Sequence, residues 1–442
     1  MMNLTLSPLD GRYKNRIHSV AQYFSEEKIL KSKYDFEIDY LEFLNKILSL
    51  NKENSSFFKK IKNDFVLSSI VYLEKNKTKH DIKAIEFYIQ ETIPILYPEE
   101  QNLIPFVHFG LTSQDINSLA TSYAISQWHK EYALQILDSV IFSIDSLAAR
   151  CDLTFPARTH GQYAVQTNLK KELSIFSARL LEQREKLRTF IFRVKFGGAV
   201  GNLSAHYLAY PDIDWKKELS DFLFQKYGLI RQELTTQVDN NDWLAEYFSI
   251  WSRINNILVD FCRDIWMYFS YGYFKKRVSD DEIGSSAMPQ KINPIEFENG
   301  EGNLEFANSI FNFMGGKLQV SRMQRDLTDT TVVRNLGLPF GHSVVAYYSI
   351  VDGCNKISPN EEEIFKDLSS HPEMLAEGIQ TLLRVSGEES FNLVKAFFRG
   401  TSKSYFEIKK FILDLALPAE LEMRALNLIE FYMDKKDGKE NS

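Results

Sequence analysis

The residues best suited to chemistry lie in the stretch 279–303, whose centre reads GSSAMPQKINP. This centre places hydroxyls, a thioether, a cation and an amide close together, on Ser285, Ser286, Met288, Lys291 and Asn293. Glycine and proline recur there too often for a helix to continue, so the pattern predicts a loop. Loops on a rigid scaffold often carry catalytic groups, although a polar connector is the alternative.

A serine in this loop needs help to act as a base, because its hydroxyl is a very weak acid. Its oxyanion must be held by nearby donors. Gly284 allows the backbone to approach closely, the amides around it can form an anion-binding nest, and Lys291 adds a positive charge. The loop therefore contains the groups that a serine base would require.

Three histidines stand at the ends of predicted segments, namely His80, His108 and His160. Histidine titrates near neutral pH, so it is the natural proton donor for a departing amine. We expect the three side chains to meet around one site, whereas the alternative for each of them alone is a capping or surface residue. Polar residues adjoin each of them, namely Asp81, Thr112, Ser113 and Gln162.

Arginines and hydroxyls alternate in the segment 321–335, where Arg322, Arg325 and Arg334 accompany Thr330. A guanidinium next to a hydroxyl suits a phosphate or a carboxylate. The segment is therefore a candidate anion-binding site, with a solvated charged helix face as the alternative.

Composition limits the classes of partner. The 442 residues are 44% hydrophobic, enough for a large core, and the net charge of −7 provides no broad basic field for nucleic acid or anionic lipid. Three scattered cysteines, no signal peptide and no apolar run of membrane length predict a cytoplasmic protein. The chain lacks the usual nucleotide-loop, zinc-protease and CxxC motifs, so we expect no metal and no redox cofactor.

Prolines are scarce between positions 105 and 289, so the middle of the chain can form long helices. Apolar residues recur at helical spacing and predict helices over 116–147, 163–196, 241–271, 295–322 with an interruption at Gly315 and Gly316, and 340–351. The longest would span roughly 45 Å. Such rods imply an elongated bundle whose broad apolar faces associate between subunits, so a homo-oligomer is expected.

Shorter helical patterns flank this bundle, over 25–50 on one side and over 374–385, 405–417 and 420–433 on the other. The predicted fold is therefore all-α with three helical domains. We assign them to residues 1–110, 111–356 and 357–442, with the loop 279–303 inside the central domain.

The run GSSAMPQKINP is similar to the signature of the fumarase/aspartase superfamily, which is close to G-S-S-x-M-P-x-K-x-N-P. Other segments resemble the adenylosuccinate lyase family, of the bacterial type, within that superfamily. They are SPLDGRY (7–13), KHDIKAIEF (79–87), FVHFGLTSQDIN (106–117), ARTHGQ (157–162), GGAVGNLSAH (197–206) and SRMQRDLTDTTVVRN (321–335). The resemblance extends over nearly the whole chain.

The resemblance implies a carbon–nitrogen lyase that releases fumarate by β-elimination without a cofactor. The implied substrates are adenylosuccinate, giving AMP, and succinylaminoimidazole carboxamide ribotide (SAICAR), giving AICAR. The implied catalytic residues are Ser285 as the base, His160 as the acid, Lys291, His108 and Glu298. The implied substrate contacts are Arg12, Tyr13, His80, Asp81, Thr112, Ser113, Gln162, Gln237, Ser286, Met288, Asn293, Arg325, Thr330 and Arg334. The family also implies a homotetramer in which different subunits supply the signature loop and the His160 segment to one site.

The sequence departs from the family pattern at a few positions. Gln290 stands where histidine is usual, and Asn168 and Lys170 follow ARTHGQ where threonine and glycine are common. The residues assigned to elimination are unaltered, so the alternative is another fumarate-releasing lyase acting on a related N-succinyl compound, as in argininosuccinate lyases. A non-catalytic helical scaffold is disfavoured because it has no use for so many polar loop residues.

Overall fold

The computed structural model describes residues 6–51, 55–277, 288, 291–387, 390–400 and 403–437. The described chain is predominantly helical with three small two-stranded sheets, which confirms the all-α class. It forms two compact units. The first comprises Met1–Val140, Leu180–Asp260 and Asn299–Ile350, and the second comprises Ile141–Arg179, Phe261–Glu298 and Val351–Ser442.

The N-terminal part of the first unit consists of short helices around one long one. They are His18–Phe24, Glu26–Leu48, Ser55–Asn63, Leu67–Leu73, a π-helical turn Glu74–Thr78, Asp81–Leu96 and a 3-10 helix Pro98–Phe106. Helix Glu26–Leu48 matches the prediction over 25–50. Its apolar face contributes Tyr34, Ile38 and Leu41 to a core that also receives Ile85 and Ile89 of helix Asp81–Leu96.

The long helices lie close to their predicted positions, except for the second, which is shorter than predicted. They are Ser113–Trp128 continued through a π-helical turn His129–Ala133 into Leu134–Ala149, then Leu169–Arg188, Asp242–Ser270, Ile295–Leu318 and Gly337–Lys356. Helix Asp242–Ser270 has 29 residues and is about 43 Å long. Helix Ile295–Leu318 runs without interruption through Gly315 and Gly316, because tertiary packing outweighs the weak helix propensity of glycine.

The prediction of one helix over 163–196 is wrong at both ends. Residues Gln162–Asn168 form a strand that pairs antiparallel with Thr154–Thr159, and the helix occupies only Leu169–Arg188. The β-branched and aromatic residues Tyr163, Val165 and Thr167 favour a strand once a partner is available. At the other end, the strand Arg193–Val194 pairs in parallel with Ile230–Arg231.

Helix Ser113–Trp128 and its continuation form one rod that, by length and composition alone, is sufficient to cross a membrane. The sequence shows no unbroken apolar run of that length, because Asp138 and Asp145 interrupt the most apolar part of the rod. Half of the most apolar window of this rod is buried inside the protein, as in the core helices of soluble proteins, so the rod alone assigns no membrane span.

Aromatic side chains fill the interior of the first unit where three long helices meet. The ring of Phe340 lies 4.6 Å from that of Trp128 and 6.2 Å from that of Trp251, measured between centroids. Buried amides accompany these rings. Asn255 donates to Asn308 Oδ1 at 3.1 Å and to Ser343 Oγ at 3.0 Å, and its own Oδ1 accepts from Tyr347 Oη at 2.6 Å. This Asn255 network fixes the register of helices Asp242–Ser270, Ile295–Leu318 and Gly337–Lys356.

The second unit holds the C-terminal helices and two antiparallel strand pairs. Its later helices are Glu361–Ser370, the 3-10 helix Pro372–Leu375, Ala376–Val385, Ser390–Phe398, Tyr405–Asp414 and Ala419–Asp437. Strand Phe274–Lys276 pairs with Ile357–Pro359, so the chain next to the signature stretch is held against the start of the C-terminal region. The remaining helices, which lie in the first unit, are Ser204–Ala209, Trp215–Tyr227 and Thr328–Val333.

Candidate active site

The predicted site residues divide between the two units. The first unit contains Arg12, Tyr13, His80, Asp81, His108, Thr112, Ser113, Gln237, Arg325, Thr330 and Arg334. The second contains His160, Gln162, Met288, Lys291, Asn293 and Glu298. Ser285, Ser286 and Gln290 lie outside the described residues.

Arg325, Gln237 and Thr330 come together in the first unit. Arg325 Nη1 donates to Gln237 Oε1 and Nη2 donates to Thr330 Oγ1, each at 3.2 Å. Arg325 Nε is buried and has no hydrogen-bond partner among the described residues. An anion would satisfy this donor, as phosphate or carboxylate oxygens do with guanidinium groups. Arg334, at the end of helix Thr328–Val333, is exposed.

Helix Thr328–Val333 is fastened to helix Ser113–Trp128, because Gln114 Nε2 donates to Asp329 Oδ2 at 2.8 Å. The segment that carries the arginines is thereby connected to the N-terminus of the helix that begins with Ser113. In the same unit, Tyr13 Oη accepts a hydrogen bond from Asn299 Nδ2 at 3.0 Å, while Arg12 is exposed.

His80 is both a helix cap and a neighbour of Ser113. Its Nδ1 accepts from the Lys83 backbone amide at 3.4 Å, so the other nitrogen, Nε2, is the protonated one and lies 3.4 Å from Ser113 Oγ. Asp81 pairs with Lys33 at 2.7 Å. Burial alone would raise the pKa of Asp81, but Lys33, the Ile82 amide and His80 together lower it below its ordinary value, so this carboxylate is ionised.

His108 is held by an acid that the sequence analysis missed. Its Nδ1 lies 2.6 Å from Oε1 of Glu37, whose side chain is fully buried. Burial opposes protonation of His108, but the charge and hydrogen bond of Glu37, together with the charges of Glu86 and Asp115, raise its pKa above the ordinary value. The sequence contains a signal for this contact. Glu37 places a carboxylate on the apolar face of helix Glu26–Leu48, and a buried carboxylate requires a partner.

A second unpredicted pair, Asp115 and Lys195, organises two loops of the first unit. Both side chains are fully buried, and Lys195 Nζ lies 2.6 Å from Asp115 Oδ1 and 2.7 Å from the Gly198 carbonyl oxygen. Asp115 also accepts from the amides of Thr112 at 2.8 Å and Gly197 at 2.7 Å. It therefore connects the N-terminus of helix Ser113–Trp128 to the glycine-rich turn that begins at Gly197. The spacing of Thr112 and Asp115 is that of a capping box, which is readable in the sequence.

His206 lies directly beneath the loop that follows His108. Gly110 has a φ of +68°, and a Cβ at this position would approach His206 Cε1 to 2.6 Å, so only glycine fits. Tyr40 Oη lies 2.8 Å from His206 Nε2 and donates to the Phe109 carbonyl oxygen at 2.9 Å. Burial lowers the pKa of His206 to about 4, so the ring is neutral and serves as a support.

We expect His206→Gln to weaken the acid sensitivity of folding. The unfolded chain protonates this histidine near pH 6.5, but the folded protein resists protonation down to about pH 4. Its contribution to stability is therefore present above pH 6.5 and is lost as the pH falls toward 4, by up to about 1.4 kcal/mol per pH unit. Urea unfolding at pH 7, 6 and 5 should show a shallower decline in the variant. The exposed His18→Gln is the control, and an equal slope in His206→Gln would contradict the assignment.

His160 occupies the tip of the hairpin formed by Thr154–Thr159 and Gln162–Asn168 in the second unit. His160 and Gly161 have φ values of +53° and +73°, which is the pattern of a two-residue type I′ turn. Both residues and Gln162 are exposed. The turn therefore presents the imidazole at the end of a short projection.

Lys291 and Asn293 precede helix Ile295–Leu318 in the same unit. Lys291 is exposed, and its amide donates to the Met288 carbonyl oxygen at 3.0 Å. Lys276 Nζ donates to the Asn293 carbonyl oxygen at 3.2 Å and pairs with Glu296 at 2.9 Å, which anchors the start of the helix. Glu298 Oε1 accepts from Trp266 Nε1 at 3.1 Å.

Two family models match the chain. One, described as "Lyase", covers residues 41–305, and the other, described as "Adenylosuccinate lyase C-terminal", covers residues 321–432. Adenylosuccinate lyase from Legionella pneumophila strain Philadelphia 1 is 38% identical over 96% of this chain and 94% of its own length. The enzymes of that name from Dictyostelium discoideum (38%) and Escherichia coli K12 (35%) each match 95% of this chain and 94% of their own.

Solved structures support the fold. A fumarate lyase from Mesorhizobium sp. BNC1 aligns with a TM-score of 0.69 at 16% identity, over 85% of this chain and 84% of its own. The 3-carboxy-cis,cis-muconate lactonizing enzyme from Pseudomonas putida gives a TM-score of 0.69 at 17% identity, over 94% and 97% of the two chains. With the two family models and full-length relatives above 30% identity, these matches establish that the chain belongs to the adenylosuccinate lyase family.

Proposed function

We propose that this lyase releases fumarate from adenylosuccinate, leaving AMP, and from SAICAR, leaving AICAR, as steps of purine biosynthesis. The observation that carries the proposal is the group of Arg325, Gln237 and Thr330, in which a partly buried guanidinium retains a buried Nε donor without a partner among the described residues. A nucleotide phosphate suits this donor. A substrate that combines a phosphate with a succinyl group also accounts for the separate polar groups at His80 and Lys291.

The proposed reaction is a β-elimination that needs no external reagent. Ser285 removes the proton from the carbon beside one succinyl carboxylate, and Lys291 and Asn293 stabilise the resulting aci-carboxylate. The carbon–nitrogen bond then breaks, and its electron pair remains on the nitrogen, which His160 protonates. The products are fumarate and the free amine of the nucleotide. Ser285 has gained one proton and His160 has lost one, so the return of one proton from Ser285 to His160 resets the site, and atoms and charges balance.

The remaining predicted residues take binding roles in this proposal. His80, Asp81, Thr112 and Ser113 orient the succinyl carboxylates, and Gln162, Gln237, Ser286 and Met288 line the succinyl and base regions. Arg12, Tyr13, Arg325, Thr330 and Arg334 contact the phosphate side. His108, whose pKa is raised by contact with Glu37, adds positive charge on that side when protonated or supports His160. Glu298 orients a histidine.

We propose a homotetramer with sites assembled from different subunits, built on the central domain 111–356 between the domains 1–110 and 357–442. Large apolar side chains exposed on the long helices support association. They include Phe142 at 74%, Leu181 at 50%, Phe306 at 52% and Phe313 at 58% exposure. Surfaces of this kind are commonly covered by another copy of the chain.

We propose that the enzyme works in the cytoplasm on small molecules, without nucleic acid or membrane partners. Its three cysteines are free and buried, which suits a reducing compartment. Burial raises the pKa of Cys151 and of Cys354 to about 12, so neither thiol forms a reactive thiolate near neutral pH. The net charge of −7 disfavours polyanionic partners.

The direct test is to mix the purified protein with adenylosuccinate and to follow the ultraviolet spectrum as the purine amine is released. Loss of substrate absorbance with formation of equal amounts of AMP and fumarate is the expected result. Argininosuccinate serves as the comparison substrate. Fumarate released from argininosuccinate and not from adenylosuccinate would favour the alternative lyase, and no release from either or from SAICAR would reject the proposed function.

Arg334→Ala should raise KM for adenylosuccinate by about 10- to 100-fold, because a charge-assisted contact to phosphate contributes about 1.5–3 kcal/mol. The effect on kcat should be smaller, since the phosphate is remote from the reacting bond. Arg322→Ala is the matched control. Arg322 is exposed in the same segment and faces Asp326 at 3.7 Å, so its loss should leave KM within about twofold of the unaltered enzyme. An unchanged KM in Arg334→Ala would remove its phosphate role.

A further inference from the structure

A cluster of polar and aromatic side chains surrounds Asp367 in the second unit. Tyr163 Oη donates to Asp367 Oδ1 at 2.6 Å, and Tyr273 Oη donates to Oδ2. Arg158 Nη2 lies 3.4 Å from Oδ2, and His371 Nε2 lies 3.5 Å from Oδ1. We call these five residues the Asp367 cluster. One carboxylate of helix Glu361–Ser370 thus joins three separate parts of the unit.

Aromatic stacking makes the Asp367 cluster stiff. The Arg158 guanidinium carbon lies 3.8 Å from the ring centroid of Tyr163 and 4.3 Å from that of Tyr271 on the chain leading to the signature stretch. The His371 ring stacks on Tyr163 with centroids 3.5 Å apart. Burial, together with the hydrogen bond to Asp367, raises the pKa of Tyr163 to about 12, so this hydroxyl remains a donor throughout the physiological range.

The position of the Asp367 cluster on the hairpin gives it a specific role. Arg158 and Tyr163 are cross-strand partners, followed by the pair Thr159 and Gln162 and then by the turn at His160. Arg158, which contacts Asp367, therefore lies two residues from His160, or about 7 Å along its strand. An isolated two-stranded hairpin is only marginally stable, so its tip needs external support to hold one direction.

We propose that Asp367 is a positioning residue that fixes the orientation of His160 by holding both strands of its hairpin, and this rests on the proposed role of His160 as the proton donor. Asp367 itself does not touch the substrate. It acts through Arg158 and Tyr163, so its loss disturbs the transfer of a proton to the leaving nitrogen more than it disturbs the binding of the nucleotide.

Asp367→Asn tests this proposal with little change in side-chain volume. An amide supplies one acceptor oxygen where the carboxylate supplies two, and it removes the charge opposite Arg158. We expect kcat for adenylosuccinate to fall by about 10- to 100-fold, because small displacements of a catalytic group have costs of that size. KM should change by less than about threefold, since the phosphate contacts belong to other residues.

Asp152→Asn is the matched control at the open end of the same hairpin. Asp152 accepts from Asn168 Nδ2 at 2.9 Å and faces Lys170 at 3.5 Å, with an exposed side chain. It lies far along both strands from the turn, so kcat should stay within about twofold of the unaltered enzyme. Equal losses in both variants would contradict a role particular to Asp367.

A double-mutant cycle separates positioning from general damage. In the His160→Ala background, Asp367→Asn should cost less than about twofold in kcat, because there is no longer an imidazole to misplace. An undiminished loss in that background would overturn the proposal. Tyr273→Phe removes one hydrogen-bond donor and leaves the carboxylate, so it should show a smaller loss of kcat that likewise depends on His160. It replaces Asp367→Asn in the test if that variant does not fold.

Hydrogen exchange provides a readout that does not depend on activity. Backbone amides of the hairpin, residues 154–168, should exchange faster in Asp367→Asn than in Asp152→Asn or the unaltered protein. If the unaltered protein releases no fumarate, the proposed function fails, while exchange still reports whether the Asp367 cluster holds the hairpin. If the enzyme is active and Asp367→Asn matches it in both kcat and exchange, the positioning role is rejected.

Discussion

Replacing Ser285 by alanine should lower kcat for adenylosuccinate by at least ~10³-fold while the protein remains folded and still binds substrate. In the proposed mechanism, alanine removes the oxygen that accepts the proton, and neither Lys291 nor Asn293 can replace it, because both act as donors to the carbanion. Steady-state kinetics give kcat, and equilibrium binding of the substrate to the inactive variant shows that the site is intact.

Ser286→Ala is the matched control for this experiment, since it removes the neighbouring hydroxyl from the same GSS run. A supporting hydroxyl contributes about one hydrogen bond, so the expected loss is roughly tenfold. If Ser285→Ala turns over at a near-normal rate and Ser286→Ala does not, the base is Ser286. If both variants turn over normally, the base lies outside this pair.

Joint refolding of Ser285→Ala and His160→Ala should restore activity far above the small residual rate of either variant alone. In the proposed tetramer the two groups reach one site from different subunits, so a mixed assembly contains some sites with both groups intact. Random mixing of equal amounts gives up to about one quarter of sites intact, half of them having the serine and half of those having the histidine. Activity should therefore approach one quarter of that of the unaltered enzyme.

The control for this recovery is Ser285→Ala refolded with a tagged copy of itself, in which every site lacks the base. Native mass spectrometry shows whether both chains are present in one assembly. Mixed tetramers that stay as inactive as the separate variants would contradict shared sites for this pair. A monomer in solution would reject the model before any activity is measured.

Helix positions follow closely from the sequence, because apolar periodicity reports directly on burial. Helix Asp242–Ser270 lies within one residue of its prediction at both ends. The segment 163–168 contains no glycine or proline, so the sequence predicts a helix there, but its conformation depends on pairing with Thr154–Thr159. Periodicity cannot detect that partner, and His-Gly is a less familiar turn signal than Asn-Gly or Asp-Gly.

Residues of the candidate site can be predicted from the sequence where a motif identifies their chemistry. They cannot be predicted where the chemistry depends on a contact with a residue that is distant in the sequence. Arg325, Thr330 and Gln237 were expected and are in contact. Glu37 and Lys195 were missed because each lies in an apolar segment and meets its partner, His108 or Asp115, only in the folded chain. In a single sequence, a buried charge is visible only as a charged residue at an otherwise apolar position. The sequence does not identify the residue that neutralises it.

The Asn255 network limits which substitutions the interior between its three helices can accept during evolution. Replacing Asn255 alone by leucine would remove one hydrogen bond each from Asn308 Oδ1, Ser343 Oγ and Tyr347 Oη, at about 1–3 kcal/mol for each group that is left unpaired. A one-turn slide of a helix, about 5.4 Å, would separate the same groups. An entirely apolar interior therefore requires simultaneous substitutions at these positions. A single substitution is tolerated only if the new side chain provides the same hydrogen-bond donor and acceptor as the amide.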